Sequence, residues 1–245
     1  MNEGQRHSTS SSDISRVNLR GLEVFPFNDP EQLIDYADRH KGILLAVNAL
    51  KIANANAETT PIINSNISYP DGIGTVLAMK TKGVTNARKI PGCELWLKIV
   101  ERYAGKRTFY IIGAKPEVHE QVIKKLKSEY PAIDIVGHRD GYIPDDKARR
   151  QLIDDVAEKK PDIVFVAMGS PKQEFLMNDM LARHRAIYQG LGGSFDVYTG
   201  NVPRAPKWWI DHNLEFAYRL LRQPSRLPRN LKYIPFGWWL LTRQF

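Results

Sequence analysis

The chain has 245 residues, with 35 lysines and arginines against 27 aspartates and glutamates, a formal net charge of +8 at neutral pH. At 42% hydrophobic, 10% aromatic and 25% charged residues, it has the composition of one folded domain, or one domain with an appendage, and not of a disordered or fibrous chain. A single cysteine, Cys93, excludes an intramolecular disulfide framework and any multi-cysteine zinc site, and fits a cytosolic compartment.

In chain order, residues 1–16 are polar and serine-rich and read as a disordered leader without the apolar core of a secretory signal. From about residue 17 to 200, short apolar and β-branched runs alternate with helix-length segments. The runs are 42–48, 108–113, 133–136, 162–168 and 186–190, and a further strand is expected over 62–69. Apolar residues at three- and four-residue spacing predict helices over 30–40, 92–104, 116–129, 145–159 and 172–184, with Pro116 and Pro144 at expected helix starts. Strands this apolar, alternating with helices, predict an α/β fold built on a mainly parallel sheet covered by helices on both faces. No stretch approaches the roughly 20 apolar residues that span a bilayer.

In such sheets the ligand crevice lies beyond the carboxyl ends of the strands, so the residues that follow each run are the candidates. Asn48 follows the first. Asp71, in Tyr69-Pro70-Asp71-Gly72-Ile73-Gly74, follows the second, where it is either a general base for an attacking hydroxyl or a turn-forming Asp-Gly. Gly113 with Lys115, and Gly169 with Lys172 and Gln173, each open a helix directly after a strand. Glycine there lets backbone approach a phosphate, and the helix start favours negative charge. Either motif alone is ordinary punctuation between strand and helix; two at consecutive strand ends favour a phosphate-bearing ligand. A glycine-rich segment, 190–200, holds Gly192, Gly193 and one carboxylate, Asp196.

Neither the dinucleotide fingerprint nor the P-loop pattern occurs. No Asp-x-Asp pair is present to clamp a nucleotide-sugar-bound metal, and the six histidines have no ligand-like spacing. No cofactor and no metal are therefore expected.

The charge is unevenly placed. Residues 1–203 carry 27 basic and 25 acidic side chains, whereas residues 204–245 carry eight against two. This tail is also aromatic. Residues 204–222 read as one helix with Trp208, Leu214, Tyr218 and Leu221 near one face; a break follows at 223–230, and the end is rich in rings beside cations. Such a segment suits a membrane interface with anionic lipid, or it packs on the core with its arginines in solvent. Arg219, Arg222, Arg226 and Arg229, at helical spacing, are alternatively placed to close over a diphosphate.

Taken together, Pro70–Gly74, Arg88–Gly92 with Glu94-Leu95-Trp96, Gly113–Glu117, Met168–Glu174, Gly192–Gly200 and Arg204–Trp208 resemble the WecG/TagA/CpsF glycosyltransferase family, in order and spacing, from about residue 18 to the end. The resemblance implies an inverting, metal-independent transfer on a Rossmann-like core, 17–203, with a C-terminal helical appendage, 204–245, that meets the membrane and helps complete the active site. It places the family's suggested base on Asp71, its pocket asparagine on Asn48 and its pocket glutamine on Gln173. A family threonine is Ala46 here, and a family arginine is Lys89 with Arg88 adjacent, which keeps charge but not bidentate geometry. The arginines thought to hold diphosphate match Arg219, Arg222 and Arg226.

The likeness is strongest to the branch that moves N-acetyl-D-mannosaminuronate from its UDP donor to undecaprenyl-diphosphate-linked N-acetylglucosamine, the lipid I to lipid II step of enterobacterial common antigen, at the cytoplasmic face of the inner membrane. The runner-up is the same chemistry with UDP-N-acetylmannosamine or another UDP-hexose. A nucleic-acid-binding protein is disfavoured by the nearly neutral body, and a non-catalytic scaffold by the presence of Asp71, Asn48 and Gln173. A homo-oligomer is left open.

Overall fold

The computed structural model describes residues 14–222 and 231–245. Most of the expected leader, the expected break at 223–230 and two of the tail arginines, Arg226 and Arg229, lie outside the described residues.

The chain enters through a hairpin, β1 (Val17–Leu19) and β2 (Leu22–Val24), whose turn holds Arg20 at φ 54° and Gly21 at φ 90°. Two consecutive positive φ values are what a two-residue turn matched to strand twist requires. Helix α1 (Pro30–His40) starts where the Asp29 carboxylate accepts the Gln32 N–H, with proline in the first turn. Then follow β3 (Gly42–Val47), α2 (Ala49–Ala53), α3 (Thr60–Ser65), β4 (Ile67–Pro70), α4 (Ile73–Thr81), α5 (Gly92–Tyr103), β5 (Thr108–Gly113), α6 (Pro116–Glu129) and β6 (Asp134–Arg139). The core closes with α7 (Asp146–Lys159), β7 (Ile163–Ala167), α8 (Lys172–Arg183), β8 (Ile187–Gly190) and the short α9 (Ser194–Tyr198).

Strands β3 to β8 form one six-stranded sheet in the order β4-β3-β8-β7-β5-β6, with every neighbouring pair parallel. Alternate residues of each strand point to opposite faces. Leu45, Val47, Ile112, Val164 and Val166 pack beneath α2, α3, α4, α7 and α8. Leu44, Phe109, Ile111, Phe165 and Ile187 pack beneath α1, α5, α6 and α9. There Trp96 of α5 is fully buried, edge-on to Phe165, Phe195 and Tyr198 at 5.0–5.7 Å. The chain is thus an α/β protein with a parallel sheet covered on both faces, as the alternation predicts.

Two expectations are corrected. The strand expected over 62–69 begins only at Ile67, and Ile62 and Ile63 belong to helix α3. Pro61 sits in the first turn of α3, the Asn56 side chain accepts the N–H groups of Glu58 and Thr59, and both isoleucines are buried against the core. Tertiary burial and these starting residues outweigh the β preference of an Ile-Ile pair. The single helix expected over 204–222 is two, α10 (Lys207–Asp211) and α11 (Glu215–Arg222), broken at Asn213 with φ 58°. The final helix, α12 (Tyr233–Leu241), packs back on α2 and α4.

Gly113 ends β5 at φ 117°, and a Cβ there would lie 2.4 Å from the Ala167 carbonyl oxygen. Close approach to the neighbouring strand accounts for this glycine. Gly113→Ala is expected to cost about 3 kcal/mol or more in denaturant unfolding; a loss under about 0.5 kcal/mol would show that the contact relaxes freely.

Past the same strand end, buried His119 donates Nδ1–H to the Gly113 carbonyl at 3.1 Å, and its Nε2 accepts from His138 Nδ1 at 3.0 Å. Burial lowers the pKa of His119, with His138 adding to it against the Gly113 carbonyl, Asp140 and Glu120; burial lowers that of His138 too, joined by Lys127 and Lys159. The unfolded chain therefore takes up protons first as the pH falls, and the pair's contribution to stability, complete above about pH 6.5, is lost below it. Thermal midpoints are expected to fall between about pH 7 and pH 5, and to fall less steeply in His119→Asn. An equal slope in the variant would remove the pair from the account.

Candidate active site

The sheet order sets four strand ends side by side. Asp71 follows β4, Asn48 follows β3, Leu191 and Gly192 follow β8, and Met168 and Gly169 follow β7. The crevice beyond them is floored by backbone. The Val47 carbonyl, last in β3, accepts the Asp71 N–H at 2.9 Å and the Thr75 hydroxyl at 2.8 Å. This locks the start of α4 onto the central strand.

Asp71 is held more closely than a turn residue requires. Its Oδ1 accepts the Gly92 N–H, at the first residue of α5, at 3.1 Å. The Gly92 carbonyl in turn accepts from Gln189 Nε2 at 3.2 Å, and the same nitrogen lies 3.5 Å from the Tyr69 hydroxyl. Gln189 and Tyr69 are both fully buried. Burial, reinforced by the nearby Asp71 carboxylate, pushes the Tyr69 phenol well above its usual range, so it stays a neutral hydrogen-bonding group. Gly92 has no room for more, since a Cβ would lie 3.0 Å from that hydroxyl and 3.7 Å from Ala46 Cβ. Residue Gly92 is therefore held at both its N–H and its carbonyl, by the carboxylate on one side and the buried amide on the other.

Asn48 is the N-cap of α2, its side chain accepting the Lys51 N–H at 3.0 Å. It stands beside Asp71's loop, 3.9 Å from where a Gly72 Cβ would be. Gln173, also buried, staples two strand ends: its Oε1 accepts from Gly169 N at 3.2 Å and Gly192 N at 3.0 Å. Its amide occupies the space over Gly190, where a Cβ would meet Nε2 at 2.5 Å. The next residue, Glu174, is almost completely buried and pairs with the half-buried Lys51 ammonium at 2.9 Å, while its Oε2 has no partner among the described residues. Lys51 and Glu174 thus tie the helix that starts at Asn48 to the helix that carries Gln173.

The other expected residues are less closely joined. Lys115 and Lys172 are exposed at the starts of α6 and α8. Gly193 precedes α9, with Asp196 Oδ2 4.0 Å from where its Cβ would stand. Lys89 donates to Asn213 Oδ1 at 2.8 Å, which couples the body to the break between α10 and α11. A second tie joins Arg204 to Glu94 in the first turn of α5. Arg222 contacts the Tyr218 hydroxyl on its own helix at 3.2 Å, and the backbone of Arg219 lies in α11.

Sequence reasoning missed Tyr69, Gly92, Gln189 and the Lys51–Glu174 pair. Gln189 had a readable signal, a polar amide inside the apolar run 186–190. No group of three or more His, Cys, Asp or Glu side chains placed to hold a metal occurs among the described residues.

Asp71, Asn48, Gln173 and the stapled loops thus gather at the carboxyl edge of a parallel sheet, where folds of this kind bind their ligands. A protein-family model described as the glycosyl transferase WecG/TagA/CpsF family matches residues 19–245, almost the whole chain, including every residue of this crevice and the tail helices. With sheet, site and match in agreement, the chain belongs to the WecG/TagA/CpsF family and is a glycosyltransferase.

Proposed function

We propose that the chain moves N-acetyl-D-mannosaminuronate from a UDP donor to N-acetylglucosamine carried on undecaprenyl diphosphate, at the cytoplasmic surface of a membrane. The observation that carries the chemistry is the Asp71 carboxylate, fixed at the end of β4 by the Gly92 N–H and beside Asn48. The choice of donor and acceptor follows the resemblance of the motifs to that branch of the family.

The acceptor hydroxyl attacks the anomeric carbon from the side opposite the diphosphate. Its oxygen forms the new bond to that carbon, the bond to the diphosphate oxygen breaks, and UDP leaves with the electron pair. Asp71 takes the hydroxyl proton as the oxygen becomes nucleophilic. Asn48, held by its cap, and Gln173, held by two loop N–H groups, orient the sugar. Charge developing on UDP is met by the N–H groups at the starts of α6 and α8, by Lys89, Lys115 and Lys172, and by Arg219, Arg222 and Arg226 of the tail. Gly192, Gly193 and Asp196 line the donor side at the end of β8.

The tail supports a membrane surface as the place of reaction. No helix of the described residues is long and apolar enough to cross a membrane. Yet Trp208, Phe216, Leu221, Leu231, Ile234, Trp238 and Leu241 are all exposed, an apolar set interleaved with cations. Such residues insert at headgroup depth while lysine and arginine meet anionic lipid. The opposite side of α12 is anchored, with Phe236 buried against Gly74 and Ala49, and Trp239 stacked on the Arg20 guanidinium at 3.8 Å.

Asp71→Asn is expected to lower turnover about 100-fold or more while UDP affinity, measured by calorimetry, is unchanged. Turnover near that of the parent would take Asp71 out of the base role. Replacing Ile234 and Trp238 together by serine should reduce co-sedimentation with vesicles containing anionic lipid and leave the thermal midpoint in place; undiminished sedimentation would move the membrane contact elsewhere.

A further inference from the structure

A cleft beside the candidate base holds Lys80 and Arg88, two cations that the reaction scheme does not use, beside Lys89, which it does. Helix α4 places Ile73, Val76 and Lys80 along one side of a cavity of about 650 Å³, and the segment before α5 supplies Ala87, Arg88 and Lys89 on the other. The volume is that of an ordinary ligand site. Three cations line it and no carboxylate does. Nor does any carboxylate pair with Lys80, Arg88 or Lys89 among the described residues: Arg88 bonds to the carbonyls of Thr85 and Ala87 at 3.1 and 3.2 Å, and Lys89 to the Asn213 amide. Such a cluster, without a balancing carboxylate among the described residues, favours an anion from outside the chain.

The cleft starts at the candidate base. Ile73 is two residues beyond Asp71, and the residue after Lys89, Ile90, donates its N–H to the Pro70 carbonyl at 2.9 Å. Between Val76 and Lys80, α4 presents exposed Leu77 next to the cleft, and α12 with its exposed Ile234 and Trp238 packs on the same helix. The non-cationic part of the lining is apolar through Ile73, Val76 and Ala87, with Thr85 its one hydroxyl, and offers little for the hydrogen-bonding edge of a nucleobase. A polyanion joined to an apolar chain matches all of this; a nucleoside diphosphate matches only the charge.

We propose that this cleft holds the diphosphate and the first apolar units of the lipid-linked acceptor, with Lys80 and Arg88 on the phosphates. This rests on the glycosyl-transfer reading and separates the two diphosphates of that reaction. The acceptor's lies along α4 between Asp71 and the membrane-facing side chains, and the donor's lies across the ends of β5, β7 and β8. Lys80 and Arg88 thereby become acceptor-binding residues, and Leu77 marks the exit of the chain toward lipid.

Binding of farnesyl diphosphate to the full-length chain, followed by calorimetry, tests this without requiring turnover. The parent should bind it more tightly than either inorganic diphosphate or farnesol. The Lys80→Ala/Arg88→Ala variant should weaken it about 10-fold or more, with UDP affinity, thermal midpoint and sedimentation with anionic vesicles unchanged. In turnover, the same variant should raise KM for the lipid-linked acceptor and leave KM for the donor alone. Equal affinity for farnesyl diphosphate in variant and parent would overturn the proposal, as would a parent that prefers inorganic diphosphate. A parallel loss of UDP affinity would assign the cleft to the donor, and a parallel loss of vesicle binding to bulk headgroups; either result contradicts it. If Asp71→Asn stays active while the cleft variant loses farnesyl diphosphate, the base assignment fails and the acceptor cleft stands.

Discussion

Everything at the site depends on the parallel sheet. Six strands running one way, all but the edge strand β6 buried on both faces, must all end on one edge, and the order β4-β3-β8-β7 brings the residues after four of them into a single row. A carboxylate, an asparagine, a glutamine and a glycine-rich loop, drawn from positions 48 to 192, become neighbours for that reason alone. The strand ends are rigid because the core beneath them is packed, and loops attached to a rigid edge can hold a reacting group in place.

Upon that edge the Gly92 peptide acts as a pivot. Its N–H faces Asp71 and its carbonyl faces Gln189, an amide with no exposure, so the carboxylate is aimed by a chain of bonds reaching into the middle of the sheet. Gln173 does the same for the loops after β7 and β8, accepting two backbone N–H groups at once. Gln189 Oε1 has no partner among the described residues, but the bonds that Gln189 Nε2 and Gln173 Oε1 do make stiffen this edge, as positioning for displacement demands. The tail extends the same design outward. Lys89 with Asn213 and Arg204 with Glu94 fasten it beside the base; Phe236 packs on the core, and Trp208, Phe216, Ile234 and Trp238 are turned to solvent.

Much of this was legible in the residues. The apolar runs and the three- and four-residue spacing locate the helices α1 and α5 to α8, the strands β3 and β5 to β8, and hence the edge that has to be searched. Asp71 and Asn48 stand out because they sit at strand ends, and the family resemblance names both and adds Gln173. Short elements escape such reading. The strands of the β1–β2 hairpin have three residues each, α2 has five, and α3 hides behind an Ile-Ile pair that suits a strand equally well. Gly113 shows the opposite hazard. It looks like a phosphate-binding glycine, yet the Ala167 carbonyl alone forbids a side chain there. Partners that meet only through folding, such as Gln189 with Gly92 or Lys51 with Glu174, leave no local pattern at all.

The central claim is transfer from a UDP-linked amino-sugar uronate to a lipid diphosphate sugar. The direct measurement is UDP release by the intact chain with undecaprenyl-diphosphate-linked N-acetylglucosamine in mixed vesicles, with UDP-N-acetylmannosaminuronate, UDP-N-acetylmannosamine, UDP-N-acetylglucosamine and UDP-glucose offered in turn. The account predicts release that depends on the acceptor and is fastest with the uronate. Preference for another donor would keep the enzyme class and reject the substrate, and no release with any donor in the presence of the acceptor would contradict the account itself.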